Sequence, residues 1–128
     1  MRVILDTHIM IWAIQGSPRL STVARDVIND DNNDVYFSTV SLIEISIKRK
    51  AHPEDMPFDA REARKLFVEN GYEELPIDSS DVEAMDDLPL LHRDPFDRML
   101  LAQAKAEGIK IVSHDTRFPA YGDFVIAV

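Results

Sequence analysis

Short apolar runs alternate with helix-length segments along the whole chain: Val3-Ile4-Leu5, Val35-Tyr36-Phe37, Glu73 to Ile77, Ile109 to Ser113 and Phe124 to Val128 read as strands. Their length and their β-branched and aromatic content set them apart from the segments between them. Consecutive strands joined by helices pair in parallel, because the chain must cross back over the sheet before the next strand starts. A parallel sheet needs cover on both faces. The predicted fold class is therefore α/β, with a parallel-rich central sheet between helical layers. No linker, repeat or low-complexity tract divides the sequence, so residues 1–128 read as one domain.

The helices carry their own signals. His8 to Ile14 is almost wholly apolar and stops before Gly16, which predicts a buried or interfacial helix with a glycine stop. Ser21 to about Asp31 has Val23, Val27 and Ile28 at helical spacing. Val40, Leu42, Ile43, Ile45 and Ile47 predict a mostly buried helix over Thr39 to Lys50. Asp59 with Glu62 opens another helix, which ends at Asn70-Gly71. Pro76 marks the third strand as an edge or an end, and a short helix follows over Ser79 to Asp87. Asp94 as N-cap and Pro95 in the first turn start a helix that runs to Glu107-Gly108.

Four acids stand at the junctions of this pattern: Asp6, Glu44, Asp97 and Asp115. Each has a local explanation. Asp6 could cap the first helix, and Ser41 to Glu44 fits a capping box with Lys48 one turn on. Asp97 sits where negative charge suits the helix dipole, and Asp115 could begin a turn. In a parallel α/β sheet, however, strand ends collect on one edge, so distant carboxylates can converge there. Converging carboxylates repel one another unless a cation neutralises them, and all-oxygen ligand sets favour Mg²⁺ or Mn²⁺. Such a cation can polarise a phosphoryl group, activate water and hold a leaving oxygen, which suits phosphodiester hydrolysis. His8, His52, His92 and His114 are scattered and show no zinc-type spacing.

Charge and composition narrow the classes. A net charge of −9 opposes a stable nucleic-acid binder that relies on a basic face. It does not oppose an enzyme that grips phosphate through divalent cations, with Lys48, Arg49, Lys50, Arg93 or Arg98 as candidate guides for the strand. There is no cysteine, so no disulfide framework is possible. A chain of 128 residues removes about two thirds of its unfolded surface from water without staples. Met1-Arg2 leads straight into the first strand, and no apolar stretch nears the roughly 18 residues of a membrane span. The expectation is a soluble cytoplasmic protein.

Leu5-Asp6-Thr7-His8, Ser41-Leu42-Ile43-Glu44-Ile45, the run His92-Arg93-Asp94-Pro95-Phe96-Asp97-Arg98-Met99-Leu100-Leu101-Ala102-Gln103-Ala104, and Ser113-His114-Asp115 with Phe118 and Tyr121-Gly122 together resemble the PIN-domain family. More narrowly, the chain resembles the VapC-type toxins of bacterial toxin–antitoxin pairs. The segment from Asp94 to Ala104 is the most specific part of the likeness. The resemblance implies a three-layer α/β/α sandwich and an endoribonuclease dependent on Mg²⁺ or Mn²⁺. It implies that Asp6 and Asp97 are the principal metal ligands, that Glu44 binds metal or orients the attacking water, and that Asp115 completes the acidic cluster. Thr7 would hold Asp6 by hydrogen bonding, while Asp94 remains the helix cap. It further implies an RNA substrate, a cognate antitoxin and a homodimer or higher oligomer, for which Trp12 and the Ile9 to Ile14 helix are candidate surfaces.

Two other classes share parts of this pattern. A phosphoacceptor receiver-like signalling domain also binds Mg²⁺ at strand ends, but it wants an acid pair after the first strand and a late Lys; here Thr7 follows Asp6, and Ser113-His114 stands at the late strand's end. A phosphatase of the haloacid-dehalogenase type wants a second acid two residues after the first, where His8 stands. A non-catalytic PIN-like binding module is the remaining alternative, and the presence of all four acids weighs against it.

Overall fold

A computed structural model describes all 128 residues. In chain order the elements are β1 (Arg2–Leu5), α1 (Thr7–Gln15), α2 (Thr22–Asn29), β2 (Asp34–Ser38), α3 (Thr39–Ala51), α4 (Ala60–Glu69), β3 (Glu73–Leu75), α5 (Ser79–Ala84), α6 (Pro95–Glu107), β4 (Lys110–Ser113) and β5 (Val125–Ala127). Single 3₁₀ turns cover Met85–Asp87 and Pro119–Tyr121. The sheet is wholly parallel, in the order β3-β2-β1-β4-β5. The chain winds outward from β1 through β2 to β3, then returns to the other side of β1 for β4 and β5. The β1–β4 border is thus the point where winding reverses, and a crevice opens there beyond the strands' carboxyl ends. A receiver-type sheet runs 2-1-3-4-5, so this order sets the signalling-domain alternative aside.

Register explains the two cores. Ile4 lies beside Tyr36 on one side and Ile111 on the other, while Leu5 lies beside Val112. Side chains alternate faces along a strand, so these rows point in opposite directions. Val3, Leu5, Val35, Phe37 and Val112 pack with Ile9, Met10, Ala24, Ala63 and Phe67 from α1, α2 and α4. Ile4 and Ile111 pack with Leu100, Leu101 and Ala104 of α6, and with Leu88 and Phe118. The predicted three layers follow. Phe37 and Phe67, both fully buried with ring centroids 5.2 Å apart, join sheet to α4. Truncating Phe67 to Ala would cost about 3–5 kcal/mol.

Local signals account for the helix ends. Gly16 and Gly108 take left-handed backbone, with φ of 61° and 67°, closing α1 and α6. Asp59 caps α4 by accepting from the Glu62 N–H, and Asp94 caps α6 by accepting from the Phe96 and Asp97 N–H groups. Three expectations fail. Helix α3 starts a turn earlier than a Ser41 box requires: β2 runs into it with no loop, and Ser38 is the cap, accepting from the Val40 N–H. Nor is α3 mostly buried, because it lies at the sheet's margin against α4 and α6 and leaves Ile43 and Ile47 about half exposed, at 46% and 52%. Helix α2 also ends earlier than expected, at Asn29.

Candidate metal and catalytic site

Asp6 follows β1 directly, its backbone N–H donating to the Val112 carbonyl 3.0 Å away, which ties it to the β1–β4 border. Although it stands at the N-cap position of α1, its side chain makes no capping hydrogen bond. The carboxylate instead accepts from the Ser113 hydroxyl at 2.8 Å through Oδ2, while Oδ1 is buried with no partner. Only 5% of Asp6 is exposed. Burial raises its proton affinity, the Ser113 hydrogen bond and His8 oppose that shift, and the charge of Glu44 adds to it.

Glu44 is also buried, on α3. With Ser38 as the helix cap, Glu44 is too deep in the helix to close a capping box, so that reading of it falls. Its Oε2 pairs with Lys48 one turn on, and its Oε1, like Asp6 Oδ1, has no partner. The Lys48 ammonium is partly buried, which lowers its proton affinity, but the Glu44 contact outweighs this and leaves it raised. Glu44 does not line the crevice itself; it sits behind the wall, and its charge is felt at Asp6 and Asp97.

Asp97 projects from the first turn of α6. Its carboxyl is pushed up to about 8, first by burial and then by the charges of Asp6, Asp94, Glu44 and Asp115. Asp115 lies just beyond β4 and behaves oppositely. Its two oxygens accept from the Arg117 backbone N–H and guanidinium, and that contact holds the carboxyl well below the usual carboxylate range despite partial burial. Its turn-forming role is therefore real, and it coexists with membership of the cluster.

His92 joins the two. It is buried in the loop before α6, and its Nε2 lies 2.9 Å from Asp97 Oδ2 and 3.1 Å from Asp115 Oδ2. The Asp94 backbone N–H reaches His92 Nδ1 at 3.1 Å. A backbone N–H can only donate, so Nδ1 accepts and the ring proton sits on Nε2, facing both carboxylates. Phe118 packs edge-on against the ring, with centroids 5.9 Å apart. Sequence reading set the histidines aside as scattered; the available signal was that His92 stands two residues before the cap Asp94 and five before Asp97.

The crevice holds about 420 Å³ and is lined by the acids Asp6, Asp94, Asp97 and Asp115 together with His8, Trp12, Arg19, His114 and Arg117. Thr7 does not hold Asp6 by its hydroxyl, which pairs with Ser41 at 2.8 Å; Ser113 has that task. Nor do the cations picked from the sequence line the crevice. Lys48 is engaged by Glu44, Arg49 donates to the Met56 carbonyl, and Arg98 donates to the Pro89 and Met85 carbonyls. Arg19 and Arg117 are the cations at the site, and neither has a motif that marks it in advance. Trp12 is half-buried against the core while lining the crevice. No helix is long and apolar enough to cross a membrane.

Residues 3–123 match the PIN domain, and the chain belongs to that family. No curated protein matches it in sequence. Among solved structures, it is similar to a chain of VapBC2 from Rickettsia felis bound to a DNA fragment from their promoter, with a TM-score of 0.72 and 18% identity over 100% of this chain and 98% of that one. It is similar to DNA-bound VapBC from Salmonella typhimurium, with a TM-score of 0.67 and 16% identity over 100% and 97% of the two chains. FitAcB from Neisseria gonorrhoeae aligns at a TM-score of 0.61 with 16% identity, covering 97% of this chain and 96% of that one. At these identities the likeness is one of fold.

Proposed function

We propose that this protein is a divalent-metal-dependent endoribonuclease and the toxin of a toxin–antitoxin pair. The observation that carries the catalytic reading is a pair of buried carboxylate oxygens, Asp6 Oδ1 and Glu44 Oε1, left without any donor, on two acids whose charges, with burial, push the crevice carboxyl Asp97 up to about 8. Buried acceptors without partners are costly, and a hard cation is the natural partner for several of them at once. The donor set is all oxygen and includes no thiol, so it fits Mg²⁺ or Mn²⁺. Asp6 and Asp97 would hold the ion, Glu44 would add charge or orient water from behind, and Asp115 would act from the rim.

When bound, the ion supplies charge that polarises the phosphodiester and favours water as nucleophile. The protein's own groups supply the rest. Ser113 fixes the Asp6 carboxylate through Oδ2, which leaves Oδ1 as its free face. His92 Nε2 is hydrogen-bonded to Asp115 and lies 2.9 Å from Asp97, so the ring stands between the two carboxylates. Arg117 is tied to Asp115 yet lies on the crevice, so with Arg19 it faces the phosphates of an incoming strand. Hydrolysis breaks the bond from phosphorus to its leaving oxygen as water adds on the opposite side.

The partner reading rests on likeness of fold: the similar structures are complexes named VapBC and FitAcB and a toxin–antitoxin complex from Klebsiella pneumoniae. A cognate antitoxin, homodimerisation and a cytoplasmic setting go with that reading. The test is incubation with total RNA with and without Mg²⁺ or Mn²⁺, alongside Asp6→Asn and Asp97→Asn. Cleavage should require the ion and should vanish in both variants while circular dichroism stays native. Metal-independent cleavage, or undiminished cleavage by both variants, overturns the assignment.

A further inference from the structure

The same crevice carries an aromatic group beside its acids. Trp12, the only tryptophan in the chain, has His8 and His114 at centroid distances of 6.0 Å each. The rings are inclined at 50° and 67° to the indole, so neither lies parallel on its face as a stacked partner would. Part of the indole rests on the α1–α2–α4 core, and Trp12 lines the crevice together with Arg19 and Arg117. An aromatic surface anchored on the core, with two guanidinium groups in the same crevice, presents what an unpaired base and its phosphates need: a stacking surface and charge-assisted donors.

Size and chemistry narrow the occupant. At about 420 Å³ the crevice is at the small end of ligand sites, enough for one nucleotide-sized group and too little for a folded helix. A base within a duplex has both faces stacked and could not lie on Trp12. We propose that Trp12, flanked by His8 and His114, is a base-binding subsite that stacks one unpaired nucleobase of single-stranded RNA while Arg19 and Arg117 take the adjoining phosphates. This rests on the nuclease reading, which names the acids of the same crevice as the reacting groups. The subsite then explains how an acidic protein retains a strand: the base is gripped by stacking rather than by a broad basic face.

The single tryptophan makes the test direct. Asp97→Asn, cleavage-defective but with Trp12 intact, is titrated in Mg²⁺ with a short single-stranded oligoribonucleotide and with the same strand annealed into a duplex. The single strand should quench tryptophan emission saturably, and the duplex should bind at least about fivefold more weakly, since stacking of one base is worth about a 5- to 150-fold change in affinity. In the otherwise unaltered chain, Trp12→Ala should raise KM within that same range and leave kcat within about twofold. Trp12→Phe, which keeps an aromatic face, should restore most of the loss.

Strand binding seen by anisotropy with no change in Trp12 emission overturns the subsite. So does an unchanged KM in a natively folded Trp12→Ala variant, the result expected if the aromatic group serves a protein partner instead. The two readings fail separately. Quenching by single strands in a protein that never cleaves RNA leaves the subsite standing and removes the nuclease. Cleavage that is indifferent to Trp12 does the reverse.

Discussion

Two groups of carboxyls occur in this molecule, and they do opposite things. In the seam between α5 and α6, Asp78, Asp81 and Glu107 lie within metal-binding distance of one another. Asp78 accepts from the Asp81 N–H, and Asp81 accepts from the Asp78 N–H, a reciprocal capping box. The remaining Asp81 oxygen is buried without a hydrogen-bond donor, and contact with Asp81 raises the proton affinity of Glu107. Two of these three acids are consumed by a helix end, and the third, Glu107, is the one whose proton affinity rises. At the β1–β4 border, Asp6 also stands at a helix start, yet caps nothing. Helix position is therefore a poor guide to an acid's role. The direction of its free lone pairs and the supply of donors around it decide whether it ends a helix or waits for a cation.

The largest effect that can break this contrast lies in the crevice. Asp6→Asn or Asp97→Asn should lower RNA cleavage about 100-fold or more, whereas Asp78→Asn should leave it within about twofold, as measured by initial rates on one substrate. Equal losses in the two regions would erase the distinction.

Next is the His92 bridge. His92→Ala should cost about 10- to 100-fold in activity, the usual effect of removing a group that orients metal-site carboxylates. His92→Gln, which can still donate one hydrogen bond, should recover part of it. Because the His92 ring is buried, thermal unfolding of both variants would show whether lost packing accounts for the change.

Proton linkage gives the third prediction. The folded-state value of Asp97, about 8, lies well above that of an ordinary aspartate, about 4, so the folded protein binds more protons and its stability without divalent cations should fall as pH rises from about 4 towards 8, then level off. Asp97→Asn should remove that slope. An ion must displace the same proton, so Mn²⁺ affinity should climb over the upper part of this range, as calorimetry would show. A flat pH dependence in both measurements would remove Asp97 as the group that titrates.

The smallest effect concerns Ser113. Ser113→Ala deprives Asp6 of its side-chain donor and should cost about 1 kcal/mol in denaturant unfolding at neutral pH, with a severalfold loss of activity as the carboxylate loses its set orientation. No change in either would mean the backbone alone holds Asp6.

Much of this was legible in the sequence, because strand and helix periods, glycine stops and the Asp94-Pro95 start are local chemistry. Most elements fell where those signals placed them; position at strand ends brought Asp6 and Asp115 to the crevice, and the Asp94-Pro95 helix start brought Asp97 there. What local rules misjudged was choice among rival hydrogen bonds. Ser41 has the spacing of a cap, but β2 enters α3 without a loop, so Ser38 caps the helix and Ser41 turns to Thr7. Thr7 neighbours Asp6 in sequence, yet the donor comes from Ser113 on the adjoining strand. Arg19 and Arg117 reach the crevice from a turn and from beyond β4, where no period or motif marks them.

The Asp6–Ser113 hydrogen bond also sets a time for the site's birth. It joins residues 107 apart in the chain, and Asp115 lies later still. A polypeptide emerging from the ribosome can form β1, β2 and their helices while β4 is still unmade, and until β4 docks beside β1 the crevice has neither its second strand nor its last acid. Under the proposed nuclease reading, a partly made chain has no complete site, because its last acid and second strand come from the final stretch of the polypeptide.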